Sequence, residues 1–122
     1  MKKILIIDND AYSLLLISDF LIFNNFQVIT TDNSQFSLQI AQEQQPDLVI
    51  CEIDMPPPDG YEVLRQLRSE PNTSGIPVLF LTFETDIASR RRALQLGANG
   101  YITKPVDLDE LLTAIAKQLQ ES

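Results

Sequence analysis

Acidic side chains, a hydroxyl and an ammonium group fall at the ends of apolar runs in this chain. Asp8, Asn9 and Asp10 close "ILII", Glu52 follows "DLVIC", Thr82 ends "IPVLFLT", and Lys104 follows "NGYIT". Carboxylates attract cations, and a lysine offsets a carboxylate or an anion, so these residues could build a charged site if they met. They lie far apart in sequence, and only the fold can bring them together.

The elements that would do so can be read from the pattern. Five short apolar runs, at 4 to 7, 26 to 30, 47 to 51, 76 to 82 and 99 to 103, mostly lack polar alternation, as strands do when a parallel sheet is covered on both faces. Between them lie segments with helical spacing. The first, about 11 to 24, carries Leu14, Leu15, Ile17, Leu21 and Ile22, with Asp10 placed as its N-cap. A second runs from about 34 to 44, with Phe36, Leu38, Ile40 and Ala41, and a third from about 60 to 69, before the turn residues "PNTSG". The fourth, about 85 to 96, ends at Gly97, suited to a left-handed C-cap. The fifth, Leu108 to Leu119, follows Asp107 and Glu110 at capping-box spacing. Five βα units with right-handed crossovers give a three-layer α/β sandwich. In such open sheets, ligands bind outside the carboxyl ends of the strands, where all of the residues above fall.

Composition narrows the function. A chain of 122 residues makes one domain, expected to span 1 to 122, with an ordinary hydrophobic core. Seventeen acidic against nine basic residues give a net charge of -8, which argues against non-specific binding to nucleic acid or anionic membrane. Cys51 is the only cysteine, so neither an intrachain disulfide nor a cysteine zinc site can form; a buried thiol in a reducing compartment is expected. No apolar stretch reaches the ~18 to 20 residues of a membrane span, and "MKKILIID" turns acidic too soon for a signal peptide. A cytoplasmic protein is the expectation.

"ILIIDND", "PDLVICEIDMPPPDG", "IPVLFLT" and "GANGYITKP" resemble, in order and spacing, the receiver domains of two-component response regulators, over essentially the whole chain. The resemblance implies a flavodoxin-like (βα)5 fold with a five-stranded parallel sheet in the order 2-1-3-4-5. It also implies phosphoryl transfer from a histidine kinase to a residue at the end of the third strand, assisted by Mg²⁺. By position Glu52 is the acceptor, Asp8 and Asn9 form the metal pocket with Glu52, and Asp54 supplies a loop carbonyl. Thr82 is the switch hydroxyl, Lys104 the counter-charge, Tyr101 the rotamer-switch aromatic, and Pro105 follows Lys104 where the family has a cis peptide.

Three positions depart from that family's pattern. Glu52 stands in place of an aspartate, moving the carboxylate about 1.5 Å outward, against in-line transfer. Asn9 replaces a second acidic ligand, so Mg²⁺ should be held weakly and is not expected to be required. Phe83 replaces a small residue that leaves room for the phosphoryl group, and Asp54 adds negative charge nearby. The spacing to Met55, Pro56 and Asp59-Gly60 keeps Glu52, not Asp54, at the acceptor position.

The expected function is therefore a receiver-like protein-interaction module that works without phosphorylation and is not an enzyme. A working phosphoacceptor is the alternative, and a flavin- or nucleotide-binding enzyme would need a glycine-rich phosphate loop that the sequence lacks. Glu52 is expected to pair with Lys104, which leaves the switch either fixed on or silent. Partners would be a histidine kinase or a downstream target, at a face that includes Arg90, Arg91, Arg92 and Tyr101, or a second copy through the fourth-to-fifth-helix face. Phe23, Phe26 and Phe36 are expected in the core, and "PPP" at 56 to 58 should stiffen the loop beside the site. The chain would be either a single-domain regulator or the receiver-like part of a longer protein.

Overall fold

The computed structural model describes residues 1–120. Strands β1 (Lys3–Ile7), β2 (Gln27–Thr31), β3 (Leu48–Cys51), β4 (Val78–Thr82) and β5 (Gly100–Thr103) form one parallel sheet in the order β2-β1-β3-β4-β5. Helices α1 (Ala11–Phe23), α2 (Ser37–Gln44), α3 (Gly60–Ser69), α4 (Ile87–Gln95) and α5 (Leu108–Leu119) alternate with them. This is the flavodoxin-like (βα)5 sandwich expected from the sequence.

The apolar runs that become β1, β3 and β4 form strands buried on both faces because alternate residues feed two separate cores, whereas the edge strand β2 is only partly covered. Ile4, Ile6, Leu48, Ile50, Leu79 and Leu81 pack with Ile17 and Leu21 of α1 and with Leu111 and Ile115 of α5. Their neighbours Leu5, Ile7, Val49, Cys51, Val78 and Phe80 pack on the other side against Val63, Leu64 and Leu67 of α3 and Ala93 of α4. Each fully buried aliphatic side chain contributes roughly 1.5–3 kcal/mol. The alternation therefore fixes the register of the strands that end at the charged residues.

Aspartates start four of the helices. Asp10, Asp59, Asp86 and Asp107 accept backbone amides of Tyr12, Glu62, Ser89 and Asp109, at 2.9 to 3.1 Å. Each cap stabilises its helix by about 1 kcal/mol and sets where the preceding loop ends. Gly97, at φ 101°, follows α4 in the left-handed region, as its position predicts. Gly60 is required for a different reason: a Cβ there would lie 2.3 Å from the Glu52 carbonyl oxygen. Its amide donates to the Ile53 carbonyl at 2.8 Å, folding the β3–α3 loop tightly over the end of β3.

Several expectations need correction. The segment at 34 to 44 is a 3₁₀ turn, Ser34–Phe36, followed by α2, and α4 begins at Ile87 because Asp86 caps it. Phe23 is largely exposed and Phe36 about half exposed, while Phe26 is partly buried. Phe23 lies two residues, more than half a helical turn, from buried Leu21, and Phe36 sits in the short 3₁₀ turn. Leu15 and Ile22 of α1 also face outward, so that helix is apolar on both sides. Cys51 is buried and unpaired, as expected, and burial pushes its thiol pKa well up.

Candidate functional site

The carboxyl ends of β1, β3, β4 and β5 bring Asp8, Glu52, Thr82 and Lys104 to one rim. β3 delivers Glu52, whose amide donates to the Ile7 carbonyl of β1 at 2.9 Å. β5 delivers Lys104, whose amide donates to the Thr82 carbonyl of β4 at 2.7 Å. The Lys104–Pro105 peptide is cis.

At the centre lies a buried three-residue ion cluster. Lys104 Nζ is 2.8 Å from Glu52 Oε1 and 2.8 Å from Asp8 Oδ2. The remaining carboxylate oxygens are also engaged. Glu52 Oε2 accepts the amides of Ile53 at 2.7 Å and Asp54 at 3.2 Å, and Asp8 Oδ1 accepts the amide of Asp10 at 2.9 Å. Burial raises the Asp8 pKa above its ordinary value despite its bonds to Lys104 and Asp10. Burial acts on Lys104 in the opposite sense, but hydrogen bonds to Asp8 and Glu52 outweigh it, and its pKa is raised.

The Glu52–Lys104 pair was legible in the sequence; the second bond, to Asp8, was not, although two acidic strand ends facing one lysine were the available signal. The bond to Asp8 bears on metal binding. A hard divalent cation needs several oxygen donors free to turn toward it. Here all four oxygens of Asp8 and Glu52 already accept hydrogen bonds, and Asn9 brings an uncharged amide. Among the described residues, no group of three or more His, Cys, Asp or Glu side chains is arranged to hold a metal ion. The residues present do not fit a dedicated Mg²⁺ site.

Around the cluster is a cleft of about 180 Å³ bounded by Asn9, Asp10, Asp54, Thr82, Phe83 and Glu84. Asp54 is exposed. Phe83 is also exposed, and its ring centroid is 5.4 Å from Lys104 Nζ, over the ammonium that an incoming anion would have to reach. Thr82 is fully buried, and its hydroxyl oxygen accepts the Glu84 amide at 3.2 Å. Tyr101 is buried as well, donating its hydroxyl to the Glu84 carbonyl at 2.7 Å. Burial, foremost, pushes the Tyr101 pKa up to about 12. Glu84 thus receives Tyr101 on its carbonyl while its amide reaches Thr82.

Arg90, Arg91 and Arg92 are exposed on α4, in front of these aromatics. The Arg90 guanidinium is 4.9 Å from the Tyr101 ring centroid and that of Arg92 is 4.1 Å from the Tyr61 ring centroid, both within cation–π range. Sequence reasoning missed Ser34. Its buried hydroxyl donates to the Pro58 carbonyl at 2.7 Å and lies 3.3 Å from that of Pro56, tying the proline loop to the 3₁₀ turn that precedes α2. No sequence signal distinguishes this serine from a surface one.

Comparison with known proteins agrees with the fold. Residues 4–116 match the family described as "Response regulator receiver domain". The sequence is 38% identical over 114 residues to "Probable chemotaxis protein CheY" of Rhizobium etli, covering 93% of this chain and 88% of that protein. It is 35% identical over 113 residues to "Probable transcriptional regulator ycf29" of Pyropia yezoensis, covering 93% of this chain and 51% of the relative. The chain therefore spans about half the length of that relative and of similar transcriptional regulators. Among solved structures, chemotaxis protein CheY4 of Vibrio cholerae superposes with a TM-score of 0.92 at 27% identity, covering 98% of this chain and 99% of that one. A two-component response regulator of Clostridium difficile gives 0.92 at 25% identity, covering 99% and 98%. A family match over nearly the whole sheet, together with this strand order and the cluster at its carboxyl edge, leaves one conclusion: the chain belongs to the response regulator receiver domain family.

Proposed function

We propose that this receiver is a cytoplasmic protein-interaction module of two-component signalling that works without phosphorylation at its acceptor position and catalyses no reaction of its own. One observation carries the reading: both oxygens of Glu52 are already committed, Oε1 to Lys104 and Oε2 to the amides of Ile53 and Asp54. An attacking carboxylate needs a free oxygen aligned with the phosphorus and a cationic pocket for the transferring group. Here the lysine that would offset that charge is held by Asp8 and Glu52, beneath Phe83.

The signalling surface is then held in a single arrangement. Tyr101 lies inward on the Glu84 carbonyl, and Thr82 is engaged by the Glu84 amide instead of reaching toward Glu52. Arg90, Arg91 and Arg92 present positive charge on an otherwise acidic molecule and fit a kinase or downstream protein with an acidic contact patch.

Incubation with acetyl phosphate or phosphoramidate and Mg²⁺, followed by intact-mass measurement, tests the proposal. The expected result is an unmodified chain. A stable phosphoryl adduct on Glu52 would overturn it and make the domain a conventional phosphoacceptor.

A further inference from the structure

Helix α4 is held to the body of the domain unevenly. Ser89, Ala93 and the C-cap Leu96, at spacings of four and seven residues, line its inner face. Ala93 is the only buried residue of the helix, and Ile87 and Leu94 are exposed. The C-terminal end is gripped firmly. Leu96 and Ala98 pack on the core, and Arg68 of α3 donates to the Gly97 carbonyl at 2.9 Å, the Asn99 side chain at 2.9 Å and the Ile76 carbonyl at 2.7 Å.

The N-terminal half, from Ile87 to Arg91, has no buried side chain, and it rests on aromatic rings. Tyr61 of α3, Phe80 of β4 and Tyr101 of β5 form a continuous edge-to-face layer, with neighbouring centroids 5.9 and 6.5 Å apart. Both outer rings are tyrosines, and each engages the helix or the loop leading into it twice. The Tyr101 hydroxyl donates to the Glu84 carbonyl, and its ring carries the Arg90 guanidinium. The Tyr61 hydroxyl donates to the Ser89 carbonyl at 3.3 Å, and its ring carries the Arg92 guanidinium at 4.1 Å. Arg90 and Arg92 lie about 200° apart around the helix, so one reaches down each flank of the inner face. Tyr61 holds the helix itself, without passing through Glu84 or Thr82.

We propose that Tyr61 and Arg92 form a second clamp on α4, acting beside the Tyr101–Glu84 bond, and that opening it releases the helix from its N-terminal end about a pivot at Gly97. Gly97 suits a pivot, because its backbone is in the left-handed region at φ 101° and its carbonyl is pinned by Arg68. Since α4 carries Arg90, Arg91 and Arg92, the clamp sets how that charge is presented. Tyr61 and Arg92 are then positioning residues of the interaction face. That last step rests on reading α4 as the face a partner meets; the clamp itself does not, and it stands whether or not Glu52 accepts phosphate.

Amide-resolved hydrogen exchange tests the clamp, because a helix of nine residues freed from the domain does not persist in water and exposes its amides. In the wild-type chain the α4 amides should exchange at least about a hundredfold faster than those of β3 and β4, by an opening of their own. Arg92→Gln should speed α4 exchange about threefold and Tyr61→Leu about tenfold. The double variant should be no faster than Tyr61→Leu alone, since the two residues act on one contact. Arg91→Gln, at a residue that makes neither ring contact, should change nothing. Exchange of α4 only together with the sheet would overturn the inference, as would equal effects of Arg91→Gln and Arg92→Gln, or full additivity in the double variant. The two arginine variants lie at exposed positions, so their comparison decides the matter even if Tyr61→Leu fails to fold.

Discussion

Glu52 Oε1 lies 2.8 Å from Lys104 Nζ in a buried site, and the same ammonium also bonds Asp8. Removing the lysine leaves two carboxylates desolvated without a counter-charge. Lys104→Met should therefore destabilise the fold by about 3–5 kcal/mol in urea unfolding. Adding Asp8→Asn and Glu52→Gln to that variant should recover much of the loss. Equal stability of the single and triple variants would show that the charges are not what the lysine compensates.

If Glu52, Asn9 and Phe83 are what block the chemistry, the combined change Glu52→Asp, Asn9→Asp and Phe83→Ala should restore it. Mg²⁺ binding followed by calorimetry, and a phosphoryl adduct detected by intact mass, are the expected gains. No recovery would move the block to Asp54 or to the proline loop held by Ser34.

Tyr101 should ionise near the value of about 12 to which its burial pushes it. The folded state holds this proton more tightly than the unfolded chain, in which the phenol titrates near 10.0. The native fold thus loses stability as pH rises from about 10.0 toward about 12, and Tyr101→Phe should flatten that part of the profile. Tyrosinate absorbance in a Tyr12→Phe, Tyr61→Phe background measures the titration directly. A midpoint near 10 would show that the ring is not enclosed.

Gly60→Ala places a methyl group where the Glu52 carbonyl already stands, 2.3 Å away. Overpacking of this kind costs about 1–3 kcal/mol or more. The expected outcome is a lowered thermal midpoint together with faster hydrogen exchange at the Gly60 amide, which bonds Ile53. A melting curve like that of the wild type would mean that the loop moves aside freely.

Ser34→Ala should cost about 1 kcal/mol through loss of its bonds to the proline loop. The effect should appear as added mobility around Asp54 with little change elsewhere, measured by amide relaxation. A uniform loss of stability across the sheet would argue against a local tether.

The sequence carried the fold well because strand burial is a pattern. Ile4 to Ile7 and Val78 to Leu81 have no polar alternation, and the structure covers both their faces. Aspartate caps and Gly97 marked helix ends for equally local reasons. The charged rim was legible because each member sits at a strand terminus, a position that topology converts into proximity. Local patterns cannot say how many partners a side chain will find. Lys104 looked like half of one pair and forms two, and Ser34 looked like a surface serine and holds a loop. Phe23 and Phe36 failed for the opposite reason: hydrophobicity says what a side chain prefers, while its angle around the helix decides what it gets.

The extra methylene of Glu52 lets one carboxylate fasten two things at once, the lysine through Oε1 and the backbone of its own loop through Oε2. An aspartate, one methylene shorter, would draw its carboxylate back from Lys104 by about 1.5 Å. Reverting this position alone would therefore loosen the rim before any phosphoryl group could be accepted, so the route back to a phosphorylated switch leads through a less stable protein. Glutamate here works as a latch.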